Sequence, residues 1–328
     1  MAGGPSTPDL VIAAADAGAL GFLAAGYLTP DGLAAQIDEV ASRGVVFGVN
    51  IFAPGMPLRD RAAVERYRTA LEPLASGLGV VPGNFNDADD DAYTAKVDLV
   101  IDRRVPLVSF TFGLPSESDL ARLQDAGVEV IATVADPDDA ERAAALGVDA
   151  LCVQGAEAGG HRATLDADVV PNEVGALELL AAVADRVRLP LIAAGGIGDG
   201  SAVAAALRAG ASAVQIGTAL LDADEAGTKP THRAALRDAR FSETVVTRAF
   251  SGRPARALRN GFVDEFDPIA PSAYPQVHYL TSPIRAAAAK ADDADHLNLW
   301  AGTAFATTRR GPAAEIIAEL WAQARGSQ

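Results

Sequence analysis

His161 ends a run, Val153-Gln154-Gly155-Ala156-Glu157-Ala158-Gly159-Gly160-His161-Arg162, whose residue types can move a proton beside a flat ligand. Imidazole has an ordinary pKa near neutrality, so His161 can give or take a proton at working pH. Gly159 and Gly160 carry no Cβ, so the backbone can turn with positive φ and let a planar group lie close. The apolar stretch Ala150-Leu151-Cys152-Val153 leads in and reads as a buried strand. A proton-transfer group and a close-approach loop at the C-terminal end of a strand make a candidate active site. A hydrogen-bonded turn histidine is the bland alternative.

Two later glycine turns could hold an anion. Leu191-Ile192-Ala193-Ala194-Gly195-Gly196-Ile197 and Val214-Gln215-Ile216-Gly217-Thr218-Ala219 close the series of strands. In (β/α)₈ barrels a phosphate commonly sits on the last two strand–helix loops. Gly195, Gly196, Gly217 and Thr218 can supply backbone N–H donors there, and a helix N-terminus adds partial positive charge. A doubly wound nucleotide fold would instead carry G-x-G-x-x-G after its first strand, and no such run stands in that setting.

The elements that must position these loops follow a cadence. A helical stretch ends in a small residue and glycine, and a short apolar run follows, at Gly18, Gly44, Gly127, Gly147 and Gly210. Thr7-Pro8-Asp9, Thr29-Pro30-Asp31 and Asp136-Pro137-Asp138 read as helix starts. About seven strands result, near 20–25, 46–52, 107–113, 129–135, 150–155, 190–196 and 213–217. They are apolar on both faces, as parallel strands covered by helices are. Alternation at this length gives a (β/α)₈ TIM-type barrel or a doubly wound sheet. The 53–105 stretch reads as helix plus surface loop. After residue 221 the rhythm fails. Residues 222–296 read as a helical lid inserted in a barrel of 1–221 and 297–328, with a closing helix over 312–323 whose Ile316, Ile317, Leu320 and Trp321 share one side.

Composition bounds the function. Lys and Arg number 27 against 43 Asp and Glu, a net charge of −16 that repels nucleic acid. One cysteine among 328 residues allows no internal disulfide and implies a reducing, cytoplasmic compartment. No apolar run approaches the ~20 residues of a membrane span.

Taken together, Gln154 to Arg162, Ala193 to Ile197 and Gln215 to Thr218 resemble the nitronate monooxygenases, formerly called 2-nitropropane dioxygenases. Met1-Ala2-Gly3-Gly4-Pro5-Ser6-Thr7-Pro8, Gly48-Val49-Asn50-Ile51-Phe52 and Tyr274-Pro275 agree. The His161 element is shared with flavin-dependent enoyl-ACP reductases. The resemblance implies an FMN-containing barrel that oxidises alkyl nitronates, propionate 3-nitronate for example, with O₂. It also implies His161 as the catalytic histidine facing the flavin. Asn50, Gln154, Gly159, Gly195, Gly196, Gln215, Ile216, Gly217 and Thr218 would contact FMN. The amides of Asn50 and Gln154 suit the acceptors of a flavin edge. No metal is called for, and a homodimer is open. In the family the Met-Ala-Gly-Gly loop follows the first barrel strand. Met1 stands there in this sequence, so the expected barrel has seven strands, a gap, and Met1 unconstrained beside the flavin.

Two alternatives remain. One is an FMN-dependent reductase using NADH or NADPH on an enoyl thioester or quinone. The other is a phosphate-binding isomerase or aldolase, which would need a lysine at a strand end; Lys96, Lys229 and Lys290 lie off the strands. Among the other histidines, His278 is the candidate to line a pocket, while His232 and His296 read as packing or surface residues. Arg253, Arg256 and Asn260 read as anion binders or, more simply, as surface charge. Glu157 reads as an orienting acid or a solvated one, Asp87 to Asp91 as a solvated acidic face, and Cys152 as buried and inert.

Overall fold

The expected helix starts and stops set the architecture. The computed structural model describes residues 1–326. In chain order the elements are α1 (Pro8–Asp16), β1 (Gly21–Ala24), α2 (Pro30–Ala41), β2 (Phe47–Phe52), α3 (Arg61–Gly77), α4 (Tyr93–Asp102), β3 (Leu107–Thr111), α5 (Glu117–Asp125), β4 (Glu129–Val134), α6 (Pro137–Leu146) and β5 (Ala150–Gln154). Then come β6 (Gly160–His161), α7 (Ala176–Arg186), β7 (Leu191–Ala194), α8 (Gly200–Arg208), β8 (Ala213–Gln215), α9 (Pro230–Ala235), β9 (Thr244–Thr247), β10 (Ala255–Leu258), α10 (Gly261–Phe266), α11 (Gln276–Lys290) and α12 (Ala313–Gly326). Thr7 and Thr29 cap α1 and α2 by accepting from Leu10 N (3.0 Å) and Gly32 N (3.1 Å). The five glycines expected to close helices have positive φ, Gly147 and Gly210 at 99°.

Seven parallel strands form one curled sheet in the order β1-β2-β3-β4-β5-β7-β8. This is the α/β, TIM-barrel-like fold that the alternation predicts. β1 and β8 each pair on one side only, so the sheet stays open at the expected gap. The helical layer spans that opening: α12 packs on α8 and on α1. Met1 is held there, contrary to expectation. Its side chain packs among Leu10, Leu220 and Leu320, and its carbonyl accepts from Ser6 N. On α12, Ile316 and Leu320 are buried but Trp321 points outward, 49% exposed. A helical turn of 3.6 residues carries it past the buried stripe.

Strand and helix side chains such as Leu23, Val49, Val130, Leu151, Leu33 and Leu180 form the main core. A second core lies over the C-terminal rim. It joins Val64, Tyr67 and Leu71 of α3 to Phe250, Phe262, Leu280 and Ile284. The segment expected to be a helical lid also carries strands: β9 and β10 pair antiparallel, and β10 takes up β6 from the loop after β5.

Candidate active site

His161 reaches the rim through this small sheet, with Ala255 opposite His161 and Arg256 opposite Gly160. Gln154 fixes the intervening turn. Its Nε2 donates to the His161 carbonyl (3.1 Å), and its Oε1 accepts from Ala163 N (2.9 Å). Gly160 turns with φ 75°. Gly159 is small for a different reason: a Cβ would lie 2.4 Å from Gly302 N and 2.5 Å from the Ala301 carbonyl carbon. Gly159→Ala must therefore push two backbones apart. We expect it to destabilise the protein by ~1–3 kcal/mol, and an unchanged melting temperature would refute the packing role.

The imidazole sits among rings. Phe112, Tyr274 and Trp300 have centroids 5.4, 5.6 and 5.4 Å from it. Nε2 lies 2.8 Å from Ser251 Oγ, which in turn lies 3.2 Å from the Arg253 carbonyl. When that hydroxyl donates to the carbonyl, it can only accept from His161. Nε2 then carries the ring proton, and Nδ1 keeps a lone pair that no group of the described chain occupies. Burial, and then the charges of Arg253 and Arg285, push the ring pKa down to about 3. The imidazole is neutral at working pH and able to accept a proton.

Those two guanidiniums are the main charges of the site. Arg253 is buried, not a surface residue. It stands 4.1 Å over the Phe112 ring and donates to the Thr164 carbonyl, and its Nε has no partner. Arg285 is buried and donates to Thr281 Oγ1 (3.1 Å) and Ser282 Oγ (2.8 Å). Among the described residues neither faces a carboxylate at ion-pair distance. Burial lowers each to about 10, and both remain charged at neutral pH. Against a net charge of −16, the site is locally positive.

Two aromatic residues hold strained backbone beside it, Tyr27 with φ 69° and Phe112 with φ 77°. Such geometry costs ~1–3 kcal/mol each and persists only where neighbours enforce it. Tyr27 N donates to Asp91 Oδ1 (3.0 Å), and the Tyr27 hydroxyl accepts from Tyr274 (3.0 Å). A cavity of about 410 Å³ opens alongside, lined in part by Tyr27, Phe52, Met56, Asp89, Tyr274 and Tyr279. Asp87 is a solvated surface acid as expected, paired with the equally exposed Arg61, whereas Asp91 is turned inward and pairs with the buried Lys96 at 2.7 Å.

The residues expected to bind a cofactor gather along the C-terminal rim of the sheet. Asn50 Nδ2 lies 2.9 Å from both Ser109 Oγ and Thr111 Oγ1. Gln215 Oε1 accepts from the Cys152 thiol at 3.5 Å, and Ile216 packs against the main core. Gly195 and Gly196 have φ 104° and 71°. The N–H groups of Gly196, Gly217 and Thr218 have no acceptor among the described residues. A Cβ on Gly217 would meet only Met1 Sδ at 3.8 Å, so the cradle is open. These free donors fit a phosphate. The helix contribution is weaker than expected, because Asp199 already caps α8 by accepting from Ala202 N (2.9 Å).

Glu157 is a structural acid, since its carboxylate accepts from Ala176 N (3.0 Å) at the start of α7. Arg256 donates to the Ala156 carbonyl (2.8 Å), and Asn260 caps α10 through Val263 N (3.2 Å). His296 pairs with Asp293 (2.5 Å). Burial pushes the Cys152 thiol up to about 12, so it is inert. Sequence reasoning missed Tyr27, Phe112, Ser251, Arg285 and Trp300. The position of Tyr27 and Phe112 just beyond β1 and β3 was an available signal, since residues at those ends line a barrel's mouth.

Three buried imidazoles bear on stability. Burial lowers His161 to about 3, His232 to about 4 and His278 well below its ordinary value. The unfolded chain protonates them near 6.5, so between about pH 6.5 and 4 it binds more protons than the folded one. Stability is then fully present above about pH 6.5 and falls with pH below it. We expect His232→Gln to flatten the pH dependence of the melting temperature in that window by about one proton. An unaltered slope would mean that His232 is already charged in the fold.

The sequence model described as nitronate monooxygenase matches residues 1–323. The chain is 34% identical over 322 residues to a probable nitronate monooxygenase of Staphylococcus aureus, covering 97% of this chain and 90% of that one. Its fold is similar to the crystal structure of a nitroalkane oxidase from Streptomyces ansochromogenes, with TM-score 0.95, 45% identity and coverage of 100% and 95%. It is also similar to FabK from Thermotoga maritima, with TM-score 0.76, 27% identity and coverage of 100% and 91%. No described helix is long and apolar enough to cross a membrane.

Proposed function

Because the chain belongs to the nitronate monooxygenase family, we propose that it is an FMN-dependent oxidoreductase that oxidises alkyl nitronates with O₂ to a carbonyl compound and nitrite or nitrate. Propionate 3-nitronate is a candidate substrate. The observation that carries the reading is a neutral imidazole whose Nδ1 has no partner, beside two buried guanidiniums that have no counter-ion, among the described residues. A site of that kind accepts a carbon-bound proton and holds the anion left behind.

Gly196, Gly217 and Thr218 would hold the FMN phosphate through their free N–H groups. Gly195, Gln215 and Ile216 would shape that loop, and Asn50, Gln154 and Gly159 would border the flavin ring. FMN, when bound, supplies the electron transfer and the oxygen chemistry. His161 Nδ1 takes the Cα proton of a nitroalkane, and Ser251 keeps the ring oriented through Nε2. Arg253 and Arg285 stabilise the nitronate charge. Phe112, Tyr274 and Trp300 keep water away from the imidazole. We assign the barrel to residues 1–221 and 297–328, of which 327 and 328 lie outside the described residues, and the lid to 222–296, with the protein in the cytoplasm.

The absorbance spectrum of the purified protein, followed by O₂ uptake with a nitronate and no nicotinamide, tests the reading. A colourless protein, or one inert to every nitronate, refutes it. The likeness to FabK favours the reductase as second reading; anaerobic bleaching of the yellow protein by NADH alone would select it. The aldolase reading has little support, because Lys96 is a buried helix residue tied to Asp91.

A further inference from the structure

We propose that His278 is a second imidazole of this site, a fixed N–H donor to an oxygen of the bound nitronate, positioned by Arg285. The proposal rests on the nitronate reading above and adds a substrate-orienting residue to it.

The ring is held on three sides. It stacks on Tyr27 with centroids 3.9 Å apart and planes 2° from parallel, and Tyr279 meets it edge-on at 5.4 Å. Its Nδ1 lies 3.2 Å from Arg285 Nη2. A guanidinium can only donate, so Nδ1 is the acceptor and Nε2 carries the proton. Arg285 is itself fixed: Nε donates to Thr281 Oγ1 (3.1 Å), and Nη2 shares its protons with Ser282 Oγ and the His278 carbonyl, both at 2.8 Å. Burial, and then the charge of Arg285, keep the His278 ring neutral, so the tautomer does not change at working pH.

The Nε2–H that results has no acceptor within the described chain, nor is it among the sealed polar atoms of the interior. The stacked Tyr27 joins it to the site. Tyr27 is hydrogen-bonded to Tyr274, whose ring lies 5.6 Å from His161. A nitronate has two oxygens that share a negative charge and no proton of its own. It needs donors, and His161 in its neutral form has Nε2–H engaged by Ser251. A neutral N–H backed by the Arg285 cation fills that need without protonating the substrate.

His278→Phe keeps the stack on Tyr27 and removes the Nε2 donor together with the Nδ1 acceptor that faces Arg285, and steady-state kinetics with one carbon skeleton in both forms reads the effect. We expect KM for the nitronate to rise about 10-fold or more, as loss of a hydrogen bond to a charged group does, with kcat little changed. KM for the neutral nitroalkane should move far less. His278→Gln, which retains an N–H, should recover most of the loss. Equal changes for both forms, no change at all, or a weakened flavin spectrum with unaltered KM would overturn the proposal. Failure of the unaltered protein to turn over any nitronate would instead refute the reading it rests on, and the proposal with it.

Discussion

Replacing His161 with alanine is expected to lower kcat/KM for a neutral nitroalkane by about 10²–10⁴-fold, the usual contribution of a positioned acid–base group. The preformed nitronate should lose much less, because its proton is already gone. The two substrates together separate proton abstraction from everything else His161 does. A ring with pKa about 3 is a weak base, and a base works best near the operating pH. The same charges that depress it, on Arg253 and Arg285, stabilise the anion that forms, so the proton and the product charge are handled by different groups. The depression has a readable sign. His161 holds its lone pair down to about pH 3, so the wild-type rate on nitroalkane should not fall as pH drops through about 6.5, where an ordinary imidazole would be lost. A rate that halves near pH 6.5 would mean that the ring titrates as an ordinary imidazole and that burial does not depress it; a His161→Ala variant within about threefold of wild type, where a base is worth 10²-fold or more, would remove His161 from the chemistry.

The parts of this protein that could be read in advance are those with local punctuation. Parallel strands buried on both faces appear as continuous apolar runs, and a glycine with positive φ closes the helix before five of the seven, as Gly147 does ahead of β5. Paired glycines likewise mark the rim loops at Gly159 and Gly195. The small sheet over the rim had no such mark. β6 is two residues long, and Ala255-Arg256-Ala257-Leu258 carries arginine where an ordinary strand would carry an apolar or β-branched residue. Arg253 reads as an anion binder or surface charge and Arg285 carries no mark at all, because only long-range packing buries them. Tyr27 and Phe112 hold φ values that glycine or asparagine would announce and that an aromatic residue conceals. The sequence thus carried the scaffold and the imidazole proposed as the base, while the residues that set that ring's charge state came from tertiary contacts.

The strain at Tyr27 makes a second large effect predictable. Asp91 holds Tyr27 N through Oδ1 (3.0 Å) and pairs with Lys96 Nζ at 2.7 Å. Lys96 is wholly buried, whereas the Asp91 side chain is 19% exposed. Asp91→Asn leaves the tether to Tyr27 in place but strands an ammonium in the interior, a change that costs about 3–5 kcal/mol. Lys96→Met should cost clearly less. Burial already raises the Asp91 pKa against the pull of Lys96, so an unpaired carboxyl can protonate or meet water at its exposed edge. Thermal or urea unfolding of the two variants measures the asymmetry. The double variant Lys96→Met with Asp91→Asn should be more stable than Asp91→Asn alone, because no buried charge is left unpaired. Since Tyr27 supports both Tyr274 and His278, Asp91→Ala, which also releases the tether, should raise KM for the nitronate beyond anything Asp91→Asn does. Equal stability of Asp91→Asn and Lys96→Met would mean that water reaches Lys96 and that the ion pair does not hold the Tyr27 turn.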